Sequence, residues 1–356
     1  MFDDVFPLRR SARGSDATAT AMAVSRASLV ALTAGFAAGR ALDLVPSLRA
    51  QAVAYLVGMV ALNLPHGGYE HFANLRRRTR AFRWRYVAGY LGLVGAFLGL
   101  FLVRPVAGLA VGLAVACAKG GGGDVHVMAA VTGDDHLRSR FGRLLAAAAR
   151  GGAVMAVPVV AWPETFRSFA RIMVAMFDPA TAAALAPPAE TVRLLVGGGY
   201  GAVVVAHLGL GLATGGPRRS WLVDAVETLG LVAYFATVPV VVAVGLYFPL
   251  WYSARQVARE FAVDATPGEG EDLLGLDAVD DADGVVVRSW GVLLLGALST
   301  GVVVVGVWLA ARRPLGGADP LFGAVAFWSV LISVIALPHV VVGSVLDRER
   351  GIWHVP

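Results

Sequence analysis

The sequence predicts an all-α protein, a polytopic helical membrane protein that crosses the bilayer about ten times. Of its 356 residues, 57% are hydrophobic and 15% are charged, whereas a soluble domain carries about 25% charged residues. The mean hydropathy is +0.68. Apolar runs long enough to span a bilayer follow one another along the chain. Arginines cluster in the short segments between these runs, as is typical of the loops of a multi-pass membrane protein.

The apolar runs place the helices along the chain, with ends defined to within a few residues. The run over 105–132 is interrupted by glycines, and only the Val238-Pro239 step separates two of the later helices. The predicted helices cover residues 24–45, 48–65, 86–103, 105–132, 143–162, 190–213, 221–238, 239–257, 287–311 and 320–345.

The distribution of arginine predicts the orientation in the membrane. With ten helices, most arginine clusters fall on one side, including the six arginines between Arg76 and Arg85. Because cytoplasmic loops carry the excess of basic residues, both termini are expected in the cytoplasm of a protein of the cell membrane. The net charge of +5 therefore reflects topology, so the lipid bilayer is an expected partner and nucleic acid is not. The single Cys117 provides neither a disulfide nor a thiolate metal site.

Composition divides the chain into a tail and one membrane domain. Residues 1–22 are polar and rich in small residues, which predicts a flexible cytoplasmic tail. Residues 23–356 form a single membrane-helix domain, with an acidic cytoplasmic loop over 260–286. Between two membrane helices, residues 163–189 contain an amphipathic segment that predicts an interfacial helix on the outer face.

A histidine and a carboxylate stand close together where the second predicted helix ends. Glu70 follows His66 by four residues, so both side chains share one face if the helix continues. Such groups are costly inside a membrane without partners. They predict either a metal ligand with an acidic partner or a helix end that reaches interfacial water, and the two residues alone do not choose between these.

Other polar residues interrupt apolar runs further along the chain. Asp124 and His126 flank four glycines, which indicates either a polar cavity or a helix kink with Asp124 paired to Lys119. His339 follows Pro338 within the last run, a combination that suggests a cavity.

The remaining histidines of interest have simpler interpretations. His207 has no acidic neighbour in its apolar run, which favours a packed histidine bonded to a backbone carbonyl. His136 lies beside a charged loop and is expected to contact solvent. Trp251, Tyr252 and Gln256 end another predicted helix, where aromatic residues typically form a membrane-interface belt.

Several stretches together resemble the Brp/Blh family, membrane proteins that cleave β-carotene centrally with O2 to give two retinals. In order and rough spacing they cover about residues 60–353, nearly the whole chain. The matching stretches are Leu64-Pro65-His66-Gly67-Gly68-Tyr69-Glu70, Gly121-Gly122-Gly123-Asp124, Ala149-Arg150-Gly151-Gly152, Val157-Pro158, Trp162-Pro163-Glu164-Thr165, Tyr247-Phe248 through Trp251-Tyr252-Ser253-Ala254-Arg255, and Leu337-Pro338-His339 to Asp347-Arg348 and Gly351-Ile352-Trp353.

This resemblance implies a bundle of helices around an iron held by histidines. The first ligand position is kept as His66, whereas the other three fall on Lys119, Tyr252 and Gln256. Protonated lysine has no lone pair to offer a metal, and a glutamine carbonyl is a weak ligand for a transition metal. Iron binding is therefore doubtful here. Together with the cost of burying polar groups singly, the resemblance predicts a cavity lined by six residues: Glu70, Asp124, His126, Trp251, Pro338 and His339.

Three functions follow from the sequence. The resemblance implies an iron-dependent carotenoid oxygenase. The replaced ligands instead suggest a non-catalytic relative that binds a carotenoid, retinal or another isoprenoid, and the sequence leaves open whether the protein is an enzyme. Intramembrane charges would also suit a transporter, but the chain shows no inverted repeat of the kind found in transporters.

Overall fold

The computed structural model describes residues 6–63, 80–185, 190–214, 218–263, 298 and 300–345. All regular structure in this part of the chain is helical. The helices are α1 (Phe6–Ala41), α2 (Leu48–Leu56), α3 (Arg80–Val103), α4 (Pro105–Val127), α5 (Arg140–Ala161), α6 (Pro163–Ala175), α7 (Pro179–Ala184), α8 (Glu190–Ala213), α9 (Arg218–Thr237), α10 (Val240–Tyr247), α11 (Ala254–Val263), α12 (Thr300–Ala310) and α13 (Pro320–Val345). Turns of π-helix extend three of them, at Val57–Asn63, Met128–Thr132 and Phe248–Ser253.

The fold confirms the prediction of an all-α membrane protein. Within the described residues, six helices are long and apolar enough to cross a bilayer: Thr18–Ala41, Arg83–Val103, Pro105–Thr132, Arg140–Ala161, Glu190–Ala213 and Pro320–Val342. The helical run over Leu48–Asn63 is shorter, and α9 carries the carboxylates Asp224 and Glu227 inside the protein. The count of ten spans stays a prediction.

The predicted tail and the predicted acidic loop have different boundaries in the structure. Helix α1 begins at Phe6 and so includes residues of the predicted tail. Its Thr18 hydroxyl donates to the carbonyl of Ala258 at 3.3 Å, and Met22 is buried against α11. Helix α11 continues to Val263, and the rest of the predicted acidic loop, 264–286, lies outside the described residues.

Glycine allows a close contact between α4 and α5. A Cβ added at Gly121 would overlap the carbonyl of Ala147, and one added at Gly151 would overlap the carbonyl of Cys117. Without side chains at these positions the two backbones approach directly, as is common between membrane helices. This contact fixes α4, the helix on which both polar regions described below are built.

The remaining helices surround α4 and α5. Helix α5 also packs on α8 and α9, and α1 covers α9 and α11. On the other side, α13 packs on α2, α3 and α4, while α10 lies against α2. The amphipathic segment predicted over 163–189 contains α6. Its apolar face is directed toward the space between α2, α4, α10 and α13.

Candidate functional site

A long apolar cavity lies between α2, α4, α10 and α13, with α6 across one end. On α4 its wall runs from Leu109 to Lys119, a distance of about 15 Å at 1.5 Å per residue. The cavity has a volume of about 150 Å³. Most of the wall is apolar, and the lining residues are Tyr55, Met59, Asn63, Leu109, Gly112, Leu113, Ala116, Lys119, Met155, Thr165, Phe166, Phe169, Met173, Val240, Val241, Val244, Phe248, Tyr252, Val325, Ser329, Ile332, Ser333 and Ala336.

Each helix contributes one of its faces to this wall. On α4 the lining residues recur every three or four positions, so they share one face of the helix. Two polar lining groups satisfy each other, since the Tyr55 hydroxyl and the Ser329 hydroxyl lie 2.6 Å apart. The cavity can therefore hold a long, mostly apolar molecule.

Lys119 and Tyr252 lie together in the cavity wall. The Lys119 ammonium is 5.2 Å from the centroid of the Tyr252 ring, within the range of a cation–π contact. Tyr252 and Gln256 both pack against Gly123, where an added Cβ would come within 2.6 Å of Tyr252 and 2.7 Å of Gln256. The glycine allows these two side chains to approach α4, so three positions distant in sequence meet at one place.

Two π-helical turns border the same end of the cavity. The turn Val57–Asn63 packs against the turn Phe248–Ser253, and the Ser253 hydroxyl donates to Asn63 Oδ1 at 3.1 Å. Such turns are frequent at functional sites because the extra residue shifts the register of the following side chains. Asn63 and Tyr252 are the cavity-lining residues that these two turns provide at the polar end.

A second polar region, a buried ion network, begins five residues further along α4. Asp124 accepts hydrogen bonds from Arg150 at 2.8 Å, from Arg255 at 2.5 Å and from the Trp251 indole at 3.2 Å. Both arginines are completely buried. The alternative that paired Asp124 with Lys119 is therefore wrong, because two guanidinium groups from other helices already hold the carboxylate.

Helix α9 completes the network with two more carboxylates. Arg150 donates to Asp224 at 2.7 Å and to Glu227 at 2.6 Å. Arg255 donates twice to Glu227, each time at 2.9 Å, and Arg26 donates to Glu227 at 2.8 Å. Three carboxylates thus face three guanidinium groups, and buried charges are stable in the membrane when they are paired in this way.

Two histidines also reach this network, contrary to the sequence analysis. His136 is buried, not solvated, and its Nε2 lies 2.8 Å from Asp224 while its Nδ1 lies 3.2 Å from the Ser220 hydroxyl. His207 Nε2 lies 3.0 Å from Asp224. The expectation that His207 bonds to a backbone carbonyl is wrong, because its neighbour is a carboxylate from α9.

The other predicted site residues are distributed around the two regions. Trp251 stacks on the Arg255 guanidinium at 4.4 Å and belongs to the ion network. Gln256 is buried and accepts from Arg259 at 3.0 Å. His126 Nδ1 lies 2.6 Å from the Gly122 carbonyl of its own helix. His66 and Glu70 lie outside the described residues.

Pro338 and His339 are buried on α13. They follow the part of α13 that lines the cavity, whose last lining residue is Ala336.

The donor set at the predicted ligand positions does not fit an iron. Within the described ranges, no three histidine, cysteine, aspartate or glutamate side chains are placed to share a metal ion. Lys119 and Tyr252 face each other as a cation and a ring, and the Gln256 carbonyl already accepts from Arg259. Asp124 is held by arginines. Of these residues, Lys119 and Tyr252 line the polar end of the cavity.

Sequence reasoning missed the carboxylates of α9. Asp224 and Glu227 are three residues apart in an otherwise apolar run, and two carboxylates on one face of a membrane helix predict buried basic partners. Arg150 and Arg255 stood in the quoted motifs, but nothing in their local sequence indicates that they would meet. The separation from Asp124 is 26 residues for one and 131 for the other.

Comparison with known proteins agrees with the resemblance seen in the sequence. A family model described as Beta-carotene 15,15'-dioxygenase matches residues 57–347. Two relatives described as "Probable beta-carotene 15,15'-dioxygenase Brp", from Halobacterium salinarum strains R1 and NRC-1, are each 55% identical over 338 residues, covering 94% of both chains. A relative described as "Probable beta-carotene 15,15'-dioxygenase Blh" from strain NRC-1 is 32% identical over 338 residues, covering 93% of this chain and 92% of its own. No solved structure matches the chain.

Proposed function

Because the chain belongs to the beta-carotene 15,15'-dioxygenase family, we propose that its apolar cavity binds a carotenoid or a closely related isoprenoid. The protein is a carotenoid oxygenase-like membrane protein of the Brp/Blh type. The main support for this proposal is the shape of the cavity. It is long and mostly apolar, and it has polar residues at one end.

The wall of the cavity matches the chemistry of such a ligand. A carotenoid is an extended hydrocarbon with conjugated double bonds, so its recognition depends on apolar contact and shape rather than on hydrogen bonds. Leu109, Val241, Val244 and Ile332 supply aliphatic surface, while Phe248 adds an aromatic ring. Burying this ligand surface contributes about 25 cal/mol per Å².

The entrance favours a ligand that arrives from the bilayer. Phe166, Phe169 and Met173 lie on the apolar face of α6 and line one end of the cavity. An amphipathic helix of this kind is suited to the boundary between headgroups and acyl chains. We propose that the ligand passes beneath α6 into the space between α4 and α13.

Oxidative cleavage is the second candidate function, and family membership favours it. Among the described residues, the positions expected to hold iron carry Lys119, Tyr252 and Gln256, which do not fit that metal. Binding of a carotenoid requires no metal ion, so it is compatible with the described residues. Cleavage requires ligands from the segment containing His66, which lies outside the described residues.

Purification from a host that makes β-carotene tests the proposal. We expect about one carotenoid per chain in detergent-solubilised protein, measured by absorption and chromatography, with no retinal and no bound iron. Retinal production together with one iron per chain, both lost in His66→Ala, would establish cleavage instead. Absence of both carotenoid and retinal would contradict the proposed binding function.

A triple variant makes the same test sharper. Lys119 and Tyr252 are in contact, and Tyr252 and Gln256 both pack on Gly123, so three imidazoles placed there would converge. Lys119→His combined with Tyr252→His and Gln256→His is expected to bind more iron than the wild type. Lys119→His alone supplies one imidazole and is the matched control, for which we expect no gain of iron.

A further inference from the structure

The chain contains a single lysine, and that lysine lies in the cavity wall. Among 30 basic residues, Lys119 is the one that is not arginine. Arginine thus serves every other position where the protein needs a positive charge, including the completely buried Arg150 and Arg255. A guanidinium cannot act as an amine nucleophile, whereas a lysine can form a Schiff base with a carbonyl compound. We therefore looked for a role of Lys119 that requires an amine and that arginine cannot fill.

The surroundings of Lys119 suit a reaction that excludes water. It lies at the end of the cavity wall on α4, about 15 Å from Leu109. Its amine stands beside the Tyr252 ring, and Ala116 and Leu113 continue the same face of α4 as apolar wall. An imine is hydrolysed by water, so an apolar cavity protects it once formed.

The family reaction indicates the carbonyl compound. When both atoms of O2 are transferred to the two carbons of an internal CH=CH bond, the carbon chain breaks and each new end becomes an aldehyde. Each product is then an apolar polyene with one aldehyde at its end. Such a molecule matches an apolar cavity with one amine at its polar end.

We propose that Lys119 holds a polyene aldehyde such as retinal in this cavity as an imine. The inference rests on the proposed function, because it requires the cavity to accept an isoprenoid chain. The Lys119 nitrogen attacks the aldehyde carbon, and the C=O bond is replaced by a C=N bond. The oxygen leaves as water with two hydrogens from the amine, so the step needs no oxidant or reductant.

Reductive trapping with added all-trans-retinal tests the inference directly. Purified protein is mixed with one equivalent of retinal and treated with sodium borohydride, which converts an imine to a stable secondary amine. We expect one retinyl group per chain by intact mass, and peptide mapping should locate it on Lys119. The single lysine makes the assignment clear, since the other primary amine of the polypeptide is its N-terminus.

Two variants provide matched controls. Lys119→Arg keeps the positive charge and removes the amine, so trapping should fall to background. Adding Arg49→Lys to that variant moves the single amine to an exposed position on α2, beside Asp319, and trapping should remain at background. Equal trapping on the moved lysine would show that the reaction does not need the cavity and would overturn the inference.

Binding measured separately distinguishes the two proposals. Quenching of tryptophan fluorescence reports whether retinal or β-carotene occupies the protein, with or without a covalent bond. Wild type that binds retinal but gives no trapped adduct on Lys119 would overturn the imine and leave the proposed function standing. Wild type that binds neither molecule would overturn both. Lys119→Arg that still binds retinal without an adduct would support the imine.

Discussion

Helix α4 carries two polar regions that differ in how their side chains are used. At Asp124 the carboxylate is held by Arg150, Arg255 and Trp251, and the charges of this region are balanced. At Lys119, five residues earlier, the side chain lies beside the Tyr252 ring in the wall of a cavity that is mostly apolar. A buried charge with complete partners holds helices together. A polar group at the end of an apolar cavity can instead contact a ligand. One region of the helix therefore stabilises the fold, and the other is available for ligand binding.

The two regions also differ in what they do to the helices around them. The ion network links α1, α4, α5, α9 and α11 through charged side chains. The cavity is space that α4, α10 and α13 leave between them. Substitutions in the network should therefore affect stability first, and substitutions in the cavity wall should affect ligand binding first.

The largest effect is expected from Arg150→Met. This change leaves Asp124, Asp224 and Glu227 without one of their guanidinium partners, and breaking a buried ion pair costs about 3–5 kcal/mol. We expect a strong fall in yield and in the melting temperature of the detergent-solubilised protein. Arg150→Lys should lie between this variant and the wild type, because one ammonium cannot form the same set of directed hydrogen bonds.

An exposed ion pair is the control for the network. Arg167 pairs with Glu164, whose side chain is 74% exposed, and such pairs contribute at most about 1 kcal/mol. Arg167→Met should therefore melt close to the wild type. If Arg150→Met and Arg167→Met were equally stable, the assigned structural role of the network would be wrong.

A smaller effect is expected from Gly121→Ala, at the contact that fixes α4. The new methyl group would overlap the Ala147 carbonyl, and overpacking of this kind costs about 1–3 kcal/mol. The melting temperature should fall accordingly. Gly198→Ala is the matched control, since nothing lies within 4 Å of its Cβ position and alanine favours a helix by about 1 kcal/mol over glycine. A decrease in both variants would point to a general effect of losing glycine.

The smallest effect is expected from Ala116→Phe, which should change the free energy of ligand binding. Ala116 lines the cavity on α4, so a phenylalanine ring there would occupy part of the ligand's space. We expect carotenoid affinity to fall about tenfold, equivalent to about 1.4 kcal/mol, measured as pigment retained after purification. Ala114→Phe places the same ring on the exposed side of α4 and should retain the pigment. Equal retention by both would place the ligand elsewhere.

The class of the fold and the family could both be predicted from the sequence. Long apolar runs report which segments can satisfy their backbone hydrogen bonds inside a bilayer, and that requirement is local to each segment. The ordered motifs from Leu64 to Trp353 were sufficient to identify the family. The amphipathic pattern over 163–189 likewise predicted α6, because a 3.6-residue period is visible in any short stretch.

Which charged side chains meet could not be predicted from the sequence and is known from the packing of the helices. A pair between Asp124 and Lys119 on its own helix was one of two alternatives, yet the partners Arg150 and Arg255 come from α5 and α11. His207 reaches Asp224 in the same way, from one helix to the next. Periodicity describes the faces of a single helix but does not state which faces will pack together. That choice depends on close approach at glycines such as Gly121 and Gly123, and on the cost of leaving a buried charge without a partner.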